Sequence, residues 1–169
     1  MKKNEIIKML KILDSILIEP LEITICGGAA AVLFHGINRA TEDIDVLTSI
    51  PKLSEIIKSS IAQSKKIADV INDGAKGFEN YLDGDYKSRR VLLMEEFKKL
   101  KVYSISKVDL FIMKLASRRV TDLNDISKIS LTQNDLKILE GAILRISAFD
   151  PKAAMNMDNF IKEYKLHGK

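Results

Sequence analysis

Apolar residues recur at helical spacing near the start of the chain. Ile6, Ile7, Leu10, Leu13, Ile16 and Leu17 share one face of residues 4–18, which predicts an amphipathic helix. Pro20 cannot continue that helix and stops it. In "LEITIC", Leu21, Ile23 and Ile25 alternate with Glu22, Thr24 and Cys26, the period of a strand. After Gly27-Gly28, "AAAVLFH" reads as a short buried helix with Gly36 as its C-terminal stop. "DIDVLTS" alternates again and predicts a second strand. Pro51 suits the first turn of a further helix through "KLSEIIKSSIAQ". From Lys65 to Lys87 the periodicity weakens, with Gly74, Gly77 and Gly84 marking loops, and "RRVLLM" and "VYSI" are short strand candidates.

From Ser106 the pattern turns helical. "SKVDLFIMKLASRR" opens with Ser-x-x-Asp, a capping box with Asp in place of Glu, and "TQNDLKILEGAILRI" opens the same way at Thr132 and Asp135. "DPKAAMNMDNFIKEYKL" has Asp150 as cap and Pro151 at the first helical position. The order implies an α+β fold, a sheet flanked by helices and followed by a C-terminal helical bundle. The expected division is 1–105 for the core and 106–169 for a helical region packed on it.

Composition narrows the function classes. A chain of 169 residues with 46% hydrophobic and 30% charged residues suits a globular protein. No apolar run of about 18 residues exists to span a membrane. The first twenty residues carry Glu5, Lys8, Lys11 and Asp14 through their apolar positions, unlike a signal peptide. A single cysteine, Cys26, excludes an intrachain disulfide and a cysteine-based metal cluster. A cytoplasmic location without membrane contact is expected. The net charge of +4 permits phosphate-rich partners without requiring them. "KSRRVLLMEEFKKLK" holds six basic and two acidic residues, either a solvated surface or a nucleic-acid patch.

The chemistry concentrates in "CGGAAAVLFHGINRATEDIDV". Gly27 and Gly28 stand where a strand hands over to a helix N-terminus, whose unpaired amides and dipole favour a phosphate. They serve equally as a plain turn. Asp43 and Asp45, two apart on a strand, share a face about 6–7 Å apart, while Ile44 and Val46 face the core. Paired carboxylates repel, and a hard cation such as Mg2+ relieves that repulsion. Exposed acids at a strand end are the alternative. Lys114, Arg118 and Asp122, at i, i+4 and i+8, read on their own as a surface ion-pair stripe.

Together, "GG" followed by "RATEDIDV" resembles the signature of the DNA polymerase β-type nucleotidyltransferase superfamily. More narrowly, it is similar to small bacterial members related to the toxin components of abortive-infection (type IV) toxin–antitoxin systems. "MKLASRRVTDLNDI" resembles the second motif of that group, and the likeness spans roughly residues 20–130. The resemblance implies a nucleotidyltransferase-type mixed sheet and Mg2+-dependent (or Mn2+-dependent) transfer of a nucleoside monophosphate from an NTP. The implied acceptor is RNA, tRNA among the options, or a protein, and an antitoxin-like protein is an implied partner. Gly27 and Gly28 would hold the triphosphate with Arg39 near its charge, and Asp43 and Asp45 would bind the metal. Lys114 would add a positive charge near the nucleotide, and Asp122 would orient it or the acceptor.

Many catalytic members carry a third carboxylate on a later strand. Glu95 is the nearest candidate here and Asp85 a poorer one. The rival reading is a nucleotide-binding or protein-interaction module of a toxin–antitoxin-like system with weak or lost chemistry. A third is an RNA-binding protein using residues 87–101.

Overall fold

The computed structural model describes residues 1–47, 67, 69–117 and 119–166. The helix expected from Pro51, together with Arg118 and His167, lies outside the described residues. Contacts divide the chain into two compact units, Met1–Gly77 with Arg89–Ile105, and Phe78–Ser88 with Ser106–Lys169.

The first unit opens with α1 (Lys3–Ile16), which buries Ile6, Met9, Leu10 and Leu13. Fully burying a Leu or Ile contributes about 1.5–3 kcal/mol, so this stripe anchors the helix. β1 (Leu21–Ile25) follows, then α2 (Gly27–Phe34), which buries Ala29–Leu33 and ends where the Ile37 N–H returns to the Ala31 carbonyl at 3.1 Å. β2 (Ile44–Asp45) and β3 (Ile71–Asn72) are two residues each, β4 is Val91–Leu92 and β5 is Leu100–Ser104. β5 lies between β1, parallel from Leu21↔Leu100 to Ile25↔Ser104, and β4, antiparallel. β2 and β3 pair in parallel, and an antiparallel bridge Ile25↔Val46 joins them to β1. The sheet is therefore mixed, as expected of this fold class.

Two local expectations need correction. Thr24, placed outward by alternation, is 4% exposed. Its hydroxyl accepts from Arg90 Nη1 at 2.9 Å, which satisfies the group that burial would otherwise strand. Of the strand expected over "DIDVLTS", β2 covers only Ile44–Asp45; Val46 follows as a bridge to Ile25, with its N–H donating to the Asn72 carbonyl at 2.9 Å, and residues 48–49 lie outside the described residues.

Several residues of the basic cluster at 87–101 have internal work. Arg90 pairs with Glu22 at 2.8 Å and lies 4.2 Å from the Tyr103 ring centroid, with Lys101 Nζ 5.1 Å from the same ring. Lys99 Nζ donates to the Leu17 and Ile18 carbonyls just beyond α1, at 2.8 and 3.1 Å. These contacts give a structural reason for much of the local charge.

Asp14 joins α1 to the approach of β5. Its carboxylate accepts the backbone N–H groups of Lys98, Lys99 and Leu100 at 3.0, 2.8 and 2.7 Å. Burial works against its charge, but these three donors outweigh it and hold the carboxyl below its ordinary range. A depressed pKa contributes stability that is complete above the unfolded value of about 3.9 and is lost as pH falls through the folded value. Asp14→Asn is expected to cost about 1–2 kcal/mol at pH 7. The gap to the wild type should narrow below about pH 4. Urea unfolding at pH 7 and pH 3 measures both, and an unchanged gap would contradict the linkage.

The second unit contains α3 (Lys107–Ser117), α4 (Val120–Ile126), α5 (Gln133–Ile146) and α6 (Pro151–Leu166). The expected caps form: Ser106 Oγ bonds Asp109, Thr132 and Asp135 make a reciprocal box, and Asp150 Oδ1 accepts the Ala153 N–H at 2.9 Å. α3 is buried from Val108 through Ala116, Asp109 and Lys114 included, and packs on α4, α5 and α6. Residues 78–88 belong here. Tyr81 donates to Asp150 Oδ2 at 2.9 Å, its carbonyl accepts from Arg145 at 2.5 Å, and Phe149 packs edge-on against its ring. The stretch Gly74–Tyr81, expected as loop, winds as a 3-10 helix, as does Tyr86–Arg89.

Candidate active site

β1 runs straight into α2, and the chain turns at Cys26–Gly27. Cys26 is extended and fully buried, and its backbone N–H donates to the Asp45 carbonyl at 2.9 Å. The Leu47 N–H returns to the Thr24 carbonyl at 2.9 Å. These two bonds bring the acidic segment to the diglycine corner.

Both glycines are required by close approach. Gly27 has φ of +60°, where a side chain is disfavoured, and a Cβ there would lie 2.6 Å from Asp45 Oδ2. A Cβ on Gly28 would lie 2.6 Å from Thr41 Oγ1 and 2.9 Å from Arg39 Nη2. The corner therefore gathers Gly27, Gly28, Arg39 and Asp45. Thr41 is 7% exposed, and its hydroxyl donates to the Asp43 carbonyl at 3.3 Å.

Asp43 and Asp45 are half-buried while Ile44 and Val46 are fully buried, the alternation expected of acids sharing a face. From β3, Asn72 Nδ2 donates to Asp43 Oδ2 at 3.2 Å. Sequence reasoning missed Thr41 and Asn72. Thr41 lies inside the quoted "RATEDIDV", whereas Asn72 is an amide in a glycine-rich stretch and escapes a search for acidic triplets. Of the two third-carboxylate candidates, Glu95 pairs with Lys11 at 3.4 Å in the first unit. Asp85 belongs to the second unit and accepts the Ser88 N–H on its backbone carbonyl.

The donor set fits a hard cation. Among the described residues no three His, Cys, Asp or Glu side chains converge as a metal cluster. Two carboxylates suit Mg2+, which completes its shell with phosphate oxygens and water. They do not suit zinc, which takes nitrogen or sulfur from several ligands. The first amides of α2 receive no side-chain cap from Cys26 and carry the positive end of the helix dipole.

Lys114 and Asp122 lie in the second unit. Lys114 is 3% exposed, so it is no surface stripe: it lies on the stretch of α3 that is buried from Val108 through Ala116. Its Nζ lies 2.5 Å from Asp122 Oδ1 and 2.8 Å from Asp125 Oδ2, and Ser117 Oγ donates to Asp122. Asp125, 1% exposed, closes the Asp-x-x-Asp step of the second motif one helical turn after Asp122, and the sequence reading gave it no role of its own.

The mixed sheet, its flanking helices and the C-terminal helices make an α+β fold of the nucleotidyltransferase type. A family described as "Nucleotidyltransferase of unknown function (DUF6036)" matches residues 4–166, and the chain belongs to it. No match was found among curated proteins or solved structures. No helix among the described residues is long and apolar enough to cross a membrane.

Proposed function

We propose that the chain is a Mg2+-dependent nucleotidyltransferase, with Mn2+ as a substitute, moving a nucleoside monophosphate from an NTP to an RNA (tRNA included) or protein acceptor. The observation that carries this reading is the Asp45 carboxylate, whose Oδ2 lies 2.6 Å from where a Cβ of Gly27 would stand. A phosphate cradle and an acidic pair thereby occupy one corner.

In this reading the amides at Gly27 and Gly28 hold the triphosphate, and Arg39 offsets its charge. Asp43 and Asp45 hold Mg2+, which when bound neutralises phosphate oxygens as charge moves to the leaving group. The acceptor oxygen bonds to the α-phosphorus, the bond from that phosphorus to the bridging β-phosphate oxygen breaks, and pyrophosphate departs. The hydroxyl proton passes to solvent. Lys114 and Asp122 are assigned to the same reaction by the likeness of the second motif.

The test incubates purified protein with Mg2+ and each labelled NTP, offering total RNA and then total protein. Label should enter one acceptor pool and disappear with Asp43→Ala and with Asp45→Ala. Absence of transfer, or transfer indifferent to both substitutions, would sink the proposal. A second reading, a nucleotide-binding or interaction module with an antitoxin-like partner, is favoured by Asn72, an amide beside Asp43 instead of a third acid. Calorimetry showing Mg2+-dependent triphosphate binding without turnover would select it.

A further inference from the structure

In the parallel β2–β3 pair, Asn72 stands opposite Asp45. Its side chain therefore leaves the same face of the sheet as Asp45 and Asp43. Two bonds define its orientation: Nδ2 donates to Asp43 Oδ2 at 3.2 Å, and Oδ1 accepts the Gly74 N–H at 3.0 Å. The second bond dictates the first. A backbone N–H can only donate, so the amide must turn its oxygen to Gly74 and its nitrogen to Asp43. A flipped amide would set N–H against N–H and oxygen against carboxylate, losing both contacts.

We propose that Asn72 is a positioning residue for Asp43, an amide lock set by the Gly74 N–H that engages Oδ2 and presents Oδ1 to a divalent cation. The inference rests on the reading of Asp43 and Asp45 as Mg2+ ligands. Outer partners of metal-binding carboxylates act in this way, fixing the ligand before the metal arrives. The lock also keeps the charge low. An amide adds none, so the two carboxylates carry a charge that one divalent cation balances, where an acid at position 72 would add a third negative group.

The test titrates Mn2+ into the full chain without nucleotide, reading free Mn2+ by electron paramagnetic resonance and apo stability by thermal melting. Asn72→Leu keeps the bulk of the side chain and removes the donor. It should weaken Mn2+ binding by about 10-fold, the lower end for loss of such a partner. Gly74→Pro deletes the N–H that sets Asn72 and puts ring carbon against Asn72 Oδ1, which already lies 3.1 Å from a Cβ at this position, so it unseats the amide at the first position of a 3-10 turn, where proline is tolerated. It should weaken binding in the same direction, and the double variant should bind no worse than Asn72→Leu, because both act through one contact.

Wild-type binding with an unchanged affinity in Asn72→Leu would overturn the lock and leave the metal reading standing, even if melting fell. Loss in Asn72→Leu but not in Gly74→Pro would overturn the part assigned to Gly74. A wild type that binds no Mn2+ would remove the metal reading, and the lock with it.

Discussion

Replacing Lys114 with Met is expected to destabilise the second unit by about 3–5 kcal/mol, the cost of breaking a buried ion pair from one side. Lys114 is 3% exposed and Asp125 is 1% exposed, with 2.8 Å between their charged atoms. Asp122, slightly more open, lies 2.5 Å from the same nitrogen. One cation thus serves two carboxylates, and its removal leaves two negative charges in a helix core without the cation that balances them. The acids are not equivalent to the lysine. Asp122→Asn leaves Asp125 to balance Lys114 and still offers an oxygen to accept, so its expected cost is only about 1–2 kcal/mol. Urea unfolding of the two variants measures the asymmetry. Equal losses would mean that Asp125 alone does not balance Lys114 once Asp122 is neutralised.

Gly27→Ala carries the second large effect. A methyl there must adopt φ of +60° and occupy space 2.6 Å from Asp45 Oδ2. Backbone strain of this kind costs about 1–3 kcal/mol. The displaced carboxylate adds a functional loss, so metal affinity should fall together with stability. Gly28→Ala is expected to be milder. Its methyl meets the end of Arg39, a flexible side chain that can retreat, along with Thr41 Oγ1. Parallel unfolding and Mn2+ titrations separate the two positions. If Gly27→Ala bound Mn2+ like the wild type, the close approach of Asp45 would have no bearing on metal binding.

The legible parts of this chain were those written in period or in capping chemistry. α1 and α2, the caps at Ser106, Thr132 and Asp150, and the burial of Ile44 and Val46 in alternation with two acids all follow from local rules. The diglycine–Asp corner was legible as a motif, but the contact between Gly27 and Asp45 depends on the Cys26–Asp45 backbone bond, which no spacing encodes. Thr24 misled because its solvent-like polarity is answered by Arg90, a residue distant in sequence. Lys114 misled for a related reason. Helical spacing places charges on a stripe but cannot say whether that stripe meets water. Asn72 stayed hidden because a search for acids passes over an amide.

The parallel pairing of β1 with β5 also bears on how the protein comes into being. β1 forms early in synthesis, yet Leu21 must wait for Leu100, and Ile25 for Ser104, before its edge is satisfied. Such distant closure is slow compared with local helix formation. On the ribosome, the nascent diglycine corner would therefore hang from an unpaired strand until β5 has emerged, an interval in which an open strand edge is prone to wrong pairing.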